Sequence, residues 1–216
     1  MMRRISFLLI TSLLLLSPGV ASAGTARLQA SPIRVGDSFG TNGRCMVGAT
    51  VQGGFVTSGI CGPVGEVVRT QDGTVVGTVR ASTYPSSSRA WVGVTSDWQP
   101  LGVLRVPGGS DIPVRGSTPA PVGSSVCGYS GTTGWRCGTV LSRNASVTYP
   151  EGTVYGLIMT SVCAEPGSRP GSPLIAGGHL QGILLGASGS CATGGRSYYV
   201  PLNEILRGYG LTLLTS

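Results

Sequence analysis

Val126-Cys127-Gly128-Tyr129-Ser130-Gly131-Thr132-Thr133-Gly134-Trp135-Arg136-Cys137-Gly138-Thr139 places two cysteines around a centre of serine, threonine and glycine, and leads into a β-branched run from Gly138 to Leu141. Turn-formers at the centre and strand-formers outside favour sheet over helix. Outward from this stretch the same alternation recurs. Gly54 to Thr57, Glu66 to Thr70, Thr74 to Arg80, Ala90 to Val94, Gly102 to Val106 and Leu180 to Leu185 are short apolar or β-branched runs bounded by turn residues. Such spacing is the pattern of a barrel or sandwich. Asp72-Gly73 joins two runs as a tight hairpin turn. Only Val200 to Gly208 has helical spacing, starting near Pro201, with a final apolar strand expected at Leu211 to Leu214. Proline, glycine and serine crowd Pro107 to Gly123, between two strand-rich halves.

The N-terminus decides the compartment. Arg3 and Arg4 precede an apolar run from Ile5 to Leu16, and Ala21-Ser22-Ala23 offers a small-residue cleavage site, so residues 1–23 read as a signal peptide. The expected location is secreted, either extracellular or periplasmic, with no membrane span. Six cysteines in an exported chain read as three disulfides, with the pairing left open. Their spacing and a lone histidine supply no zinc motif, and neither a metal nor another cofactor is expected. Removing Arg3 and Arg4 leaves thirteen arginines against eight acidic residues, a net charge of +5. These arginines are scattered singly, which reads as a solvated surface and not as a nucleic-acid site.

Beyond the opening stretch, several strings carry a family resemblance. They are Gly54-Phe55-Val56-Thr57-Ser58-Gly59-Ile60-Cys61-Gly62, Ser88-Arg89-Ala90-Trp91-Val92, Val114-Arg115-Gly116-Ser117, Cys163-Ala164-Glu165-Pro166-Gly167, Gln181-Gly182 and Tyr209-Gly210-Leu211. In this order, over nearly all of Val35 to Ser216, the chain resembles the bacterial α-lytic proteases and streptogrisins, which are chymotrypsin-like serine proteases. The resemblance implies an all-β fold of two six-stranded antiparallel Greek-key barrels with a short C-terminal helix. Residues 24–110 would form the first barrel and 111–216 the second, joined as one unit. It also implies the pairing Cys45 with Cys61, Cys127 with Cys137, and Cys163 with Cys191. Too few residues separate Ala23 from Val35 for the long pro-region the resemblance would bring.

Such a protease needs a nucleophilic serine, a histidine to take its proton and a carboxylate to orient that histidine. The resemblance places these roles at Ile60, Ser88 and Arg169. Isoleucine accepts no proton, and serine carries no charge to stabilise an imidazolium. Gly167-Ser168-Arg169-Pro170-Gly171 takes the place of the family's G-D-S-G-G, with Pro173 read as an insertion. The family's buried aspartate and its arginine partner fall at Ser168 and Gly128, so both ends of an ion pair are replaced together. The substrate-pairing run falls at Leu185, Gly186 and Ala187, and Arg169 is expected to project into the same cleft. His179, at a hairpin tip and solvated, lies too far along an extended strand to serve the loop.

These replacements point to a monomeric protease homologue that binds a protein or peptide partner instead of cutting it. One alternative is a hydrolase remodelled around Ser172. Another is a polysaccharide or cell-wall binder presenting Trp98, Tyr198 and Tyr199; Trp91 and Trp135 read as packing residues.

Overall fold

The computed structural model describes residues 29–40, 44–130, 134–165 and 168–216. The signal-peptide reading of 1–23 lies outside them, as do the centre of the opening stretch (131–133) and Pro166-Gly167. Nine strands and part of a tenth build the first half. They are β1 (Ser31–Val35), β2 (Ser38–Phe39), β3 (Cys45–Met46), β4 (Ala49–Val51), β5 (Gly54–Thr57), β6 (Val67–Arg69), β7 (Val75–Thr83), β8 (Arg89–Val94) and β9 (Trp98–Leu104), with β10 (Ile112–Pro113) added beside β9. The second half holds β11 (Ser125–Ser130), β12 (Gly134–Tyr149), β13 (Gly152–Thr160), β14 (Pro173–Ala176), β15 (His179–Ser188) and β16 (Arg196–Pro201), followed by α1 (Leu202–Tyr209).

The second half closes as a barrel in the order β11-β12-β13-β16-β15-β14. The first wraps a five-stranded sheet, β4-β5-β8-β7-β6, and the sheet β1-β9-β10 around its own core of Phe39, Phe55, Val68, Val76 and Val92. One buried cluster crosses between the halves, uniting Val35, Val51, Val56 and Leu104 with Leu157, Leu180, Ile183 and Ile205. The two barrels therefore share a core. Their approach is close enough that a Cβ at Gly48 would collide with the Ile183 side chain.

Two boundaries differ from expectation. Ile112–Pro113 pairs with β9, so the sheet of the first half runs past residue 110. Leu211 to Leu214 forms no strand; Leu213 makes an isolated bridge to Val51, and Ser216 continues to the Val114 carbonyl. Residues 211–216 are thus a strap laid across the first half. Pro173 pairs with Ile183 as the first residue of β14, and the register between β14 and β15 shifts just beyond it, between Leu174 and Ile175.

All three disulfides pair as the resemblance implied: Cys45 with Cys61, Cys127 with Cys137, and Cys163 with Cys191. The hairpin around Cys127 and Cys137 pairs these two residues directly across β11 and β12. Among the described residues no helix is long and apolar enough to cross a membrane.

Candidate functional site

Thr57 and Ser58, at the end of β5, are fully buried, and three remote segments meet on them. The Thr57 hydroxyl donates to the Met46 carbonyl at 2.7 Å. Ser58 Oγ lies 2.9 Å from Ser88 Oγ, closing a buried hydroxyl pair. Met46 N–H donates to the Pro170 carbonyl at 3.0 Å, and a Cβ at Gly171 would fall 2.5 Å from the Met46 carbonyl oxygen. Gly171 also has φ +83°, so only glycine fits this turn. The segments carrying Ile60, Ser88 and Arg169 thereby converge on one crevice between the barrels.

Their side chains face different surroundings. Ile60, in the single 3₁₀ turn Gly59–Cys61, is 56 % exposed beside Pro63, Val64 and Tyr84, which line a recess of about 310 Å³ with it. Ser88 is buried, with φ +43°. That conformation costs about 1–3 kcal/mol outside glycine and suits aspartate or asparagine better than serine.

Arg169 corrects an expectation. Its guanidinium donates to Ser38 Oγ and lines a polar cavity of about 450 Å³ with Gly36, Thr70, Asp72, Arg105 and Tyr129. Leu185, Gly186 and Ala187 line a different recess, of about 320 Å³, with Glu165, Ser168 and Pro170. Ser168 and Pro170 line one recess while Arg169 between them, held by the Ser38 hydroxyl, lines the other.

Ser172 is 3 % exposed, and its hydroxyl donates to the Arg169 carbonyl at 2.6 Å and packs 3.2 Å from Met46 Sδ. It offers no open face to a substrate. His179 is no free hairpin tip: it pairs with Ala176, and its Nδ1 accepts from the Thr118 N–H at 3.4 Å. The neighbouring Gln181 amide is buried and bonded to Thr118, Ala120 and the His179 carbonyl. The aromatic platform also dissolves. Trp98 packs on the first core with Nε1 bonded to the Val75 carbonyl, and Tyr199 is buried in the second barrel, where burial pushes its phenol far up. Tyr198 is half-buried on β16.

Ser168 and Gly128 line one small cavity of about 10 Å³ with the Tyr199 ring. Ser168 Oγ is buried there without a hydrogen-bond partner among the described residues. A Cβ at Gly128 would stand 2.6 Å from the Tyr199 hydroxyl. The tyrosine thus occupies space that a longer side chain at residue 128 would need.

No sequence motif announced the polar cavity. Gly36, Ser38, Arg105 and Tyr129 come from separated segments, and only the fold brings them together. Asp37 accepts from Arg105 at 2.9 Å and from the Arg34 N–H at 2.7 Å, and this partnership raises the Arg105 guanidinium above its usual range. Burial raises the Tyr129 phenol, while Arg105 and Arg169 pull the other way. Among the described residues no cluster of histidine, cysteine and carboxylates could hold a metal ion.

Two β-barrels on a shared core, with three loops converging in the crevice between them, define the chymotrypsin-like class. Comparison with known proteins narrows this. Streptogrisin-C of Streptomyces griseus is 47 % identical over 190 residues, which are 85 % of this chain and 41 % of that protein. Serine protease 2 of Streptomyces fradiae is 34 % identical over 161 residues, 73 % of this chain and 90 % of that one. The crystal structure of Cellulomonas bogoriensis chymotrypsin superposes with a TM-score of 0.78 at 42 % identity, covering 86 % of this chain and all of the other. The chain belongs to the chymotrypsin-like serine proteases of the streptogrisin and α-lytic protease type. It spans less than half the length of Streptogrisin-C. No protein-family model matches it.

Proposed function

We propose that this chain is a secreted, catalytically inactive member of its family that acts by binding a protein or peptide partner. The observation that carries the reading is the crevice itself. Where a proton acceptor must face a nucleophile, Ile60 turns an apolar chain to solvent, and Ser88 spends its hydroxyl on Ser58. General-base catalysis has no group to use there. The remodelled hydrolase finds no support, since Ser172 is buried and engaged.

Binding is supported by the edge of β15. Its pairing with β14 ends at Ile183, and Leu184 still bonds to Gly171 and Ser172. Beyond it, among the described residues, Gly186 and Ala187 pair with β16 alone, which leaves their other edge open along the 320 Å³ recess. An extended peptide adds to such an edge through backbone hydrogen bonds. Apolar Ile60, Val64 and Tyr84 stand exposed around a second recess and offer side-chain contacts to a partner.

The test has two arms. A serine-directed covalent probe and a panel of peptide amide substrates are expected to give no label and no turnover; a label on Ser172, or turnover lost with Ser172→Ala, would refute inactivity. Pull-down from the producer's culture medium and from neighbouring cells is expected to return a polypeptide that competes with extended peptides. A chain that retains nothing would refute the binding role.

A further inference from the structure

Arg169 is the guanidinium of the polar cavity whose charge is not already answered. Among the described residues only two ion pairs occur, Arg34 with Asp111 and Arg105 with Asp37. Asp72, the carboxylate in the lining, is folded onto its own turn by Thr70 and Thr74, and these hydrogen bonds hold it below the usual carboxylate range. Arg169 has the Ser38 hydroxyl as its hydrogen-bond partner and is half-buried. A guanidinium carries five N–H donors in a planar fork shaped for two oxygens of one anion.

The cavity walls sharpen the choice of anion. Arg105 and Asp37 cancel one another, and Asp72 adds a negative charge to the rim. One unpaired guanidinium facing a rim that carries the Asp72 charge suits a single negative charge, while a doubly charged phosphate would meet twice the repulsion from Asp72. The volume, about 450 Å³, admits a side chain and not only an ion. Arg169 lines this cavity while its neighbours Ser168 and Pro170 line the recess with Leu185 to Ala187, so a chain paired along β15 would pass residues 168–170 to reach it.

We propose that the cavity formed by Ser38, Tyr129 and Arg169 is a binding subsite for one carboxylate side chain, presented by the polypeptide partner that also pairs with the open edge of β15. This rests on the binding role proposed above. Arg169 grips the carboxylate in bidentate fashion, the Ser38 hydroxyl fixes the plane of the fork, and the Tyr129 ring forms the wall.

The subsite can be tested without the partner. N-acetyl-glutamate α-amide, N-acetyl-glutamine α-amide and inorganic phosphate are titrated into the disulfide-intact protein while NMR follows the Arg169 Nε–H and the Tyr129 ring. The glutamate probe is expected to shift both resonances saturably, and Arg169→Gln to weaken it at least tenfold with the fold intact by circular dichroism. Equal response to the glutamine probe, or no saturable shift at Arg169, overturns the subsite. Phosphate binding tighter than the glutamate probe overturns the single-charge assignment. The partner recovered by pull-down is then measured against wild type and Arg169→Gln. A tenfold or greater loss supports the proposal. Equal affinity overturns the subsite's role in partner binding while leaving the binding role standing, and a saturable small probe with no recoverable partner does the reverse.

Discussion

Ser168→Asp tests the dry pocket under the nucleophile loop. Ser168 Oγ is already buried and unpartnered, and the cavity it shares with Gly128 and Tyr199 holds at most about one water. Gly128 supplies no cation, and the Tyr199 hydroxyl is in the way of one. An unpaired carboxylate at this site costs about 3–5 kcal/mol when ionised. At about 1.4 kcal/mol per pKa unit, that raises the folded-state pKa by roughly two to four units above the unfolded value near 4. The sign follows. Below pH ~4 both states hold the proton and the variant loses only a constant steric cost; as pH rises, the unfolded chain ionises first, so stability falls until the folded pKa is passed. Urea unfolding of wild type and variant at several pH values isolates the effect as a difference between the two curves. The destabilisation is expected to grow by about 3–5 kcal/mol between pH 4 and pH 8. A pH-independent difference would show that residue 168 is solvated or meets a cation, and would refute the account of the lost ion pair.

Other consequences can be checked by substitution. Gly171→Ala, with φ +83° and backbone oxygen 2.5 Å from the new Cβ, is expected to lose more than about 3 kcal/mol or fail to fold, whereas Gly73→Ala, also at positive φ but facing open space, should lose about 1 kcal/mol by thermal unfolding. Replacing Cys163 and Cys191 together by serine opens a loop with a sequence separation of 28 and should cost about 3–4 kcal/mol by denaturant unfolding. Ser172→Ala removes the hydroxyl donor to the Arg169 carbonyl, which keeps the Ser172 N–H at 3.2 Å, and should cost about 0.5–1.5 kcal/mol, with partner affinity unchanged in a binding assay.

The strands at Gly54–Thr57 and Ala90–Val94 were legible because each alternates or masses β-formers between turn residues, whereas the disulfide pairing came from the family resemblance, since composition and spacing left it open. The expected strand at Leu211 to Leu214 failed because apolar residues also serve a strap, whose partners in the first half no local pattern reveals. The convergence of Ile60, Ser88 and Arg169 segments came from family resemblance alone. Where Arg169 points did not, since the Ser38 hydroxyl that draws it away lies 131 positions earlier. Likewise Tyr199 looked like a surface aromatic and is buried, and Trp98, half-buried, spends its indole N–H on the Val75 carbonyl.

The strap of residues 211–216 makes the two halves mutually dependent. Its backbone bonds to Thr50, Gln52 and Val114, and the Ser216 hydroxyl donates to the Gly102 carbonyl, so the first barrel is finished by residues that follow the second. Contacts joined across more than 100 positions must wait for the intervening chain to be ordered, a condition associated with slow folding. During that interval the edges of the first barrel stand open to other chains, and the half-built molecule is vulnerable to proteolysis and to mispairing in a way the finished one is not.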